Sequence, residues 1–432
     1  MQSVVKRFYR YVAFNVMGML GVSFYILADT YFISLGLGAD GLTALNLAVP
    51  MYSFIGGTGI MASMGGGARY SILSAQNNRE AANQTFTRTL FIGLSLGFLL
   101  SIIGLLFAPT ICYLLGARGE VLDLAGGYLR LLMLFAPAFI MDHMIAGFVR
   151  NDGAPGLAMA GMFLGSLANI VMDYIFIFPM GLGMEGAALA TCASPIIGLG
   201  IMSSHYFRGK NGFHLVKTDF KLSSLWVICS QGLSSFITEV SGGITMMIFN
   251  AVILSLLGNI GVAAYGVVAN IALVVSAVFN GIAQGSQPLI SSSYGGGDTR
   301  QVKLILRLAT GTAIVFACFI YALVFVFAQD ITTLFNSGGD ALLQETASRG
   351  LRLYFIGFAF AGPCIITAAC FSAAAFSREG YMLSLCRGII VLIPCLMICA
   401  YLLGMDGVWL CMPVTELITL MLALHLRRKT DL

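Results

Sequence analysis

Charge is what this chain has least of. Asp, Glu, Lys and Arg make up 10% of its 432 residues, where a soluble domain carries about 25% so that its surface can face water. So few charges exclude an ordinary soluble enzyme or binding domain. The ten cysteines fall mostly inside apolar runs, as at Cys112, Cys192, Cys318, Cys395 and Cys399. They have neither zinc-site spacing nor paired positions on external loops, so they read as small packing residues. No phosphate-binding loop, metal-ligand cluster or nucleophile elbow occurs. The chain therefore reads as a non-enzyme without a cofactor, and any uphill work must draw on an ion gradient. No cleavable signal peptide is apparent, because the first apolar run is long and leads directly into more.

What is there instead is apolar and doubled. Hydrophobic residues make up 58% of the chain and the mean hydropathy is +0.91. Residues 182–198 read LGMEGAALATCASPIIG and residues 403–419 read LGMDGVWLCMPVTELIT. Gly183, Met184, Glu185 and Gly186 precede Gly404, Met405, Asp406 and Gly407 by 221 positions. Leu129-Arg130-Leu131 against Leu351-Arg352-Leu353, and Arg88 against Arg307, keep nearly the same offset. Two copies of one hydrophobic unit are the signature of a secondary transporter whose site lies between its repeats.

Apolar stretches near the ~20 residues that cross a bilayer lie at about 13–35, 43–67, 89–112, 126–148, 157–178 and 185–206. The second copy supplies about 225–257, 263–290, 309–328, 350–376, 381–403 and 407–426. The fold expected is an all-α polytopic membrane protein with twelve transmembrane helices. Six spans per copy place the copies in the same orientation, as parallel repeats. Residues 1–207 form the N-lobe, 208–222 a cytoplasmic linker and 223–432 the C-lobe.

The basic residues test this count. With a cytoplasmic N-terminus, 19 of 23 fall on the cytoplasmic side, Arg150 and Arg387 among them, and only Arg118, Arg130, Arg349 and Arg352 fall opposite. The net charge of +4 thus reflects topology and gives no support for a nucleic-acid partner. Trp226 and Trp409 each fall near a span end, where amphipathic rings favour the interface.

Acidic residues inside a bilayer each cost ~2.5–3.5 kcal/mol on insertion scales, so those within spans need a reason: Asp29, Asp142, Asp173, Glu239 and Glu416. Asp29 lies deep in span 1. Asp173 follows Asn169 by one helical turn in span 5, so the two side chains share a face. A carboxylate beside an amide oxygen binds a hard cation such as Na⁺ or holds an exchangeable proton, and Thr191 in span 6 adds a hydroxyl. The plain alternative is a structural hydrogen bond tying spans 1, 5 and 6 together. Glu239 in span 7, with Gln231, reads as a substrate counter-ion or as a structural bond. Asn270, Asn280 and Gln284 in span 8 face the same cavity or act as polar glue. Tyr25 and Tyr52 are candidate cavity aromatics. Asp142-His143, in the cytoplasmic part of span 4 near Arg150 and Asp152, reads as a solvated helix end, with a gate salt bridge as the alternative. His205 and His425 read as interfacial anchors. Glu416 aligns with Pro195 and has no counterpart in the first copy.

Several segments resemble a known family. Asp29-Thr30-Tyr31-Phe32-Ile33, Gly36–Leu42, Leu47-Ala48-Val49-Pro50, the Gly-rich run Gly56–Gly67 and the loop Asn78-Arg79-Glu80-Ala81 resemble spans 1–2 of MATE (multidrug and toxic compound extrusion) transporters. Gly295–Asp298 repeats that loop, and Asn169–Asp173 and Gly181–Thr191 are also similar to the family. The wording is closest to its MepA-like and DinF-like branches. The resemblance implies two V-shaped six-helix lobes in a bacterial inner membrane, with both termini cytoplasmic. It implies export of amphiphilic, mainly cationic compounds in exchange for Na⁺ or H⁺ by a monomer. It implies a cation site in the N-lobe at Asp29, Asn169, Asp173 and Thr191. The NorM-like branch pairs an acid on span 7 with an Asp on span 10. Span 10 here has no such acid, so Glu239 lacks that partner. A flippase or exporter of lipid-linked or other amphipathic metabolites is the alternative on the same fold, and would suit a basic cavity. An ion channel is disfavoured because the buried acids differ between the copies.

Overall fold

The protein is almost entirely helical outside its connections in the described residues, 2–336 and 339–431 of a computed structural model. The first half holds α1 (Gln2–Ala75), α2 (Arg79–Leu114), α3 (Gly119–Leu134), α4 (Ala136–Asn151), α5 (Pro155–Ile177) and α6 (Gly183–Phe207). The second holds α7 (Leu222–Gly295), α8 (Thr299–Phe335), α9 (Ala341–Tyr354), α10 (Phe358–Ala373), α11 (Ser377–Leu385), α12 (Leu392–Leu403) and α13 (Met405–Thr430). A 3₁₀ turn, Phe355–Gly357, joins α9 to α10, and a π turn, Cys386–Ile390, joins α11 to α12.

Two glycines fold the longest helices back on themselves. Gly38 in α1 takes φ 64° and ψ −150°, and Gly258 in α7 takes φ 64° and ψ −153°. Side chains with a Cβ avoid that region, so glycine is the residue that permits the turn. Tyr25 and Tyr52, 27 residues apart, meet hydroxyl to hydroxyl, whereas a straight helix would hold them about 40 Å apart. Phe249 likewise stacks on Tyr265 across Gly258, with ring centroids 5.2 Å apart. Among the described residues nine helical runs are long and apolar enough to cross a bilayer, and α3–α4, bent by 49°, makes a tenth. Because α1 and α7 each cross twice, the spans number twelve, in the six-plus-six plan expected from the repeat.

The copies match in detail as well as in length. Asn78 caps α2 by accepting from Ala81 N at 3.1 Å, and Asp298 caps α8 by accepting from Gln301 N at 2.9 Å. Each side chain satisfies an N–H that the helix end leaves unpaired. Lipid-facing residues are equally parallel: Phe98, Ile102 and Leu106 on α2, and Val315, Phe319 and Val326 on α8, are large, apolar and exposed.

Each half has its own core. One buried cluster draws only on the first half, from Ile33 to Cys192. The largest draws on the second half, joined by Phe8, Tyr11 and Val12 from the start of α1. The halves meet along α1 and α7. Gly281 and Gly285 sit on the backbone of Val16 and Val12, Gly232 on Met61, Ile228 on Gly65 and Gly295 on Ile72. These small residues let backbones approach closely. All these contacts lie towards the end of the molecule that carries the termini and the 208–221 connection, so the halves join there as the arms of a V.

Trp409 departs from its expected interfacial place. It is 1% exposed, stacked near Tyr265 at 6.3 Å and pressed against Gly350. Gly350 leaves room for the indole in the second-half core, and burial of so large an apolar surface outweighs an interfacial position. Trp226, by contrast, is 65% exposed.

Candidate functional site

Small residues bring α1, α5 and α6 together. Gly18 and Gly21 of α1 lie against Met159, Met162 and Phe163 of α5, and Gly161 and Gly165 of α5 lie against Gly198, Met202 and Ser194 of α6. That close packing buries Asp29, Asn169, Asp173 and Thr191, none more than 6% exposed. Asp29 and Asp173 lie within charge-interaction range of one another. Tyr128, also buried, lies against Thr191 and within the same range of both acids.

Most of this cluster is unsatisfied. Asp29 Oδ1, both amide atoms of Asn169 and both carboxylate oxygens of Asp173 are buried without a hydrogen-bond partner among the described residues. Thr191 donates its hydroxyl to Ala187 O at 3.0 Å, which leaves its oxygen lone pairs to accept. Buried polar groups are normally bonded, and each orphan costs about 1–3 kcal/mol. Two neighbouring buried carboxylates stay charged together only with a cation between them; otherwise one of them takes up a proton. The donors are carboxylate, amide and hydroxyl oxygens, the hard ligands that suit Na⁺. The site thus has the composition of a monovalent cation or proton site.

A cavity opens beside it, between the halves. Tyr25, Tyr52, Asp142, His143, Glu239 and Gln284 are among its lining residues. It adjoins a second pocket through Met19, Ile60, Glu239 and Gln284, to which Asn280 contributes. Tyr52 lies within charge-interaction range of Asp29, Asp142 and Glu239, so the hydrogen-bonded Tyr25–Tyr52 pair stands between the acid cluster and the cavity. Gln231 and Asn270 are not among the residues lining either pocket. Gln231 is 3% exposed and its Oε1 has no partner.

Four residues differ from their sequence-based expectations. Asp142 is no solvated helix end: it lines the cavity, and its Oδ1 is buried without a partner. Phe139, Asp142 and His143 reach the cavity from one helix face, through a spacing of three and four residues that is visible in the sequence. Arg150 pairs with neither acid near it. It is 1% exposed and donates to Asn15 at 2.5 Å and Gln284 at 2.9 Å. His205 is no interfacial anchor: it is 6% exposed and lies 2.9 Å from Asp152 Oδ2. Glu416 finds its partner in Arg387, whose Nε donates to both carboxylate oxygens at 2.7 and 3.0 Å, so Arg387 is no cytoplasmic surface charge. The Glu416 side chain is 2% exposed and that of Arg387 18%.

Twelve spans in two matched halves, with a polar cavity between them and a buried acid cluster at its wall, define a membrane transporter. The MatE family model matches residues 16–175 and again 234–397, one match in each half. The chain belongs to the MatE family. It is similar to Multidrug export protein MepA of Staphylococcus saprophyticus, 25% identical over 430 residues that cover 98% of this chain and 93% of that one. MepA of Staphylococcus aureus strain COL is 26% identical over 398 residues, covering 91% and 86%. Among solved structures, a MOP superfamily transporter from Pyrococcus furiosus, described with a binding pocket of reversed polarity, matches with a TM-score of 0.92 at 24% identity, covering 98% of this chain and 95% of that one. A MATE transporter of Vibrio cholerae matches at 0.90 and 20% identity, covering 99% and 98%. These structural likenesses show the fold.

Proposed function

We propose that this transporter exports amphiphilic organic cations in exchange for Na⁺ or H⁺, by alternating access between its two halves. The single observation that carries the reading is the unpartnered cluster of Asp29, Asn169 and Asp173, set one tyrosine pair away from a cavity whose lining acids are Asp142 and Glu239. An acid-lined cavity attracts cationic cargo, and the aromatic and Met side chains beside it accept varied apolar bodies. The relatives named for multidrug export point the same way.

In this reading the coupling ion occupies Asp29, Asn169, Asp173 and Thr191, and its arrival lets α1, α5 and α6 repack at the cavity wall. Cargo and ion exchange because each binds the two conformations with different affinity; a ligand indifferent to them would shift nothing. The bias of the basic residues puts the V's joined end in the cytoplasm, so the cavity opens outward. Export of lipid-linked or other anionic metabolites would call for free basic groups in the cavity. No Arg or Lys is among the residues lining the cavity, whose acids are Asp142 and Glu239, so cationic cargo is preferred.

The test is a fluorescent cationic dye in proteoliposomes, with a Na⁺ gradient and a pH gradient imposed separately. Dye movement driven by either gradient, and lost in Asp29→Asn, supports the proposal and identifies the ion. Dye movement that Asp29→Asn leaves intact removes the ion-site assignment, and no movement of several cationic dyes under either gradient turns the reading to anionic cargo.

A further inference from the structure

A further polar cavity lies away from the acid cluster, where the two halves meet beside the 208–221 connection. Its volume is about 230 Å³, and its walls include Arg69 of α1, Thr85 and Arg88 of α2, and Ser223 and Ser224 of α7. Arg69 makes no ion pair or hydrogen bond to any described residue, and neither serine hydroxyl does. Arg88 binds the carboxylate and the carbonyl oxygen of Asp219. Asp219 also bridges to Lys221 at 3.0 Å. These hydrogen bonds, Lys221 first and Arg88 second, hold the Asp219 carboxyl below its ordinary range. Among the lining residues, then, Arg69 and Arg88 are basic and none is acidic, and Asp219 and Lys221 join them through Arg88. The first turn of α7 adds backbone N–H groups that no side chain caps, and such groups favour anions. Beside the cavity, Leu222, Trp226 and Phe220 are exposed apolar side chains, and Phe91 packs on Phe220 at 4.4 Å. A Trp and two such apolar neighbours beside basic groups mark the level of the lipid headgroups.

We propose that Arg69 and Arg88, with the Ser223 and Ser224 hydroxyls, hold a phosphate group in the crevice between the two halves, carried by an anionic lipid or free in solution. The walls come from both halves, so the phosphate bridges them and is bound fully only while they are joined at this end. Anion binding therefore favours the joined arrangement, by the rule that a ligand stabilises the state that binds it better. The binding claim does not depend on the identity of the exported compound or of the coupling ion.

The test is native mass spectrometry of the full chain in detergent, titrated with phosphatidylglycerol, phosphatidylcholine or inorganic phosphate. Arg69→Gln is expected to weaken phosphatidylglycerol retention about fivefold, the factor equivalent to ~1 kcal/mol per basic residue near an anionic headgroup. Asp219→Asn, which removes the competing carboxylate, is expected to tighten it. Arg118→Gln, at the far end of the first half, is expected to change nothing. Retention of phosphatidylglycerol in the presence of excess inorganic phosphate assigns the site to a lipid, and displacement by inorganic phosphate assigns it to a soluble source. If Arg69→Gln binds both ligands as the wild type does, or Arg118→Gln loses as much, the proposal is overturned. Arg88→Gln is a poorer probe, because it also frees Asp219.

Discussion

In the first half, Asp29 and Asp173 are buried with carboxylate oxygens that touch no donor; in the second, Glu416 is buried just as deeply but receives two hydrogen bonds from Arg387. The copies share a plan and differ in how they treat a charge removed from water. A buried carboxylate with a permanent counter-cation is structural, because breaking such a pair strands the remaining charge. In the proposed reading, a buried carboxylate without one takes a mobile partner, a metal cation or a proton. The same contrast appears at equivalent positions on the paired hairpins. The 220-residue offset between Gly38 and Gly258 carries Asp29 onto Phe249, which is fully buried and stacked on Tyr265. One half keeps an unpaired acid where the other fills the space with aromatic rings. Arg387 itself sits in the π turn between α11 and α12, a local widening that often marks functional positions in helices.

The largest effect that would test this contrast is in transport. Asp29→Asn is expected to bring gradient-driven dye export to the protein-free baseline, with a thermal unfolding midpoint equal to or above the wild type's, since the amide removes an unpaired charge. A lower midpoint would show that Asp29 is structural after all. Glu416→Ala is expected to do the reverse and destabilise the folded protein by about 3–5 kcal/mol, the cost of stranding one member of a buried pair. Joint replacement by Arg387→Met and Glu416→Leu should recover most of that loss in the same denaturation assay; failure to recover would separate the two residues. Phe249→Asp, which writes the first-half residue into the second half, is expected to cost about 2.5–3.5 kcal/mol. A measured cost near zero would mean that the second-half core admits water, and the contrast would weaken. The smallest effects belong to the turns: Gly38→Ala and Gly258→Ala should each cost about 1–3 kcal/mol, because both place a Cβ at positive φ with extended ψ, a region essentially reserved to glycine. Unequal costs in parallel unfolding curves would mean that the two hairpins are not equivalent.

Asp29, Asn169 and Asp173 are legible in the sequence because a polar residue stands out in an apolar span, and because a four-residue spacing puts two side chains on one face. Glu239, Gln284, Tyr25 and Tyr52 stand out for the same reason, and all four reach the cavity. The position of Asp142 near a span end points to water, whereas the packed helices set it against Gly198 of α6 and on the cavity wall. Nothing local distinguishes His205 from an anchor, since its partner, Asp152, lies 53 residues away. The partner of Glu416 lies 29 residues back in another helix, and the repeat offers no counterpart from which to infer it. Tyr128 beside Thr191 carries no signal, since one tyrosine among 16 has nothing to distinguish it.

Composition and periodicity determined the membrane class, the span count, the doubling and the breaks that fall at Gly38 and Gly258, because each depends on segments of tens of residues and on the cost of leaving polar groups in lipid. Which buried charges are paired depended instead on helices far apart in sequence approaching through their glycines. Pairing is decided over a few ångströms, and one helix bent or rotated by a single residue changes it. That is why only the packed helices distinguish the first half's unpaired acid cluster from the second half's Arg387–Glu416 pair.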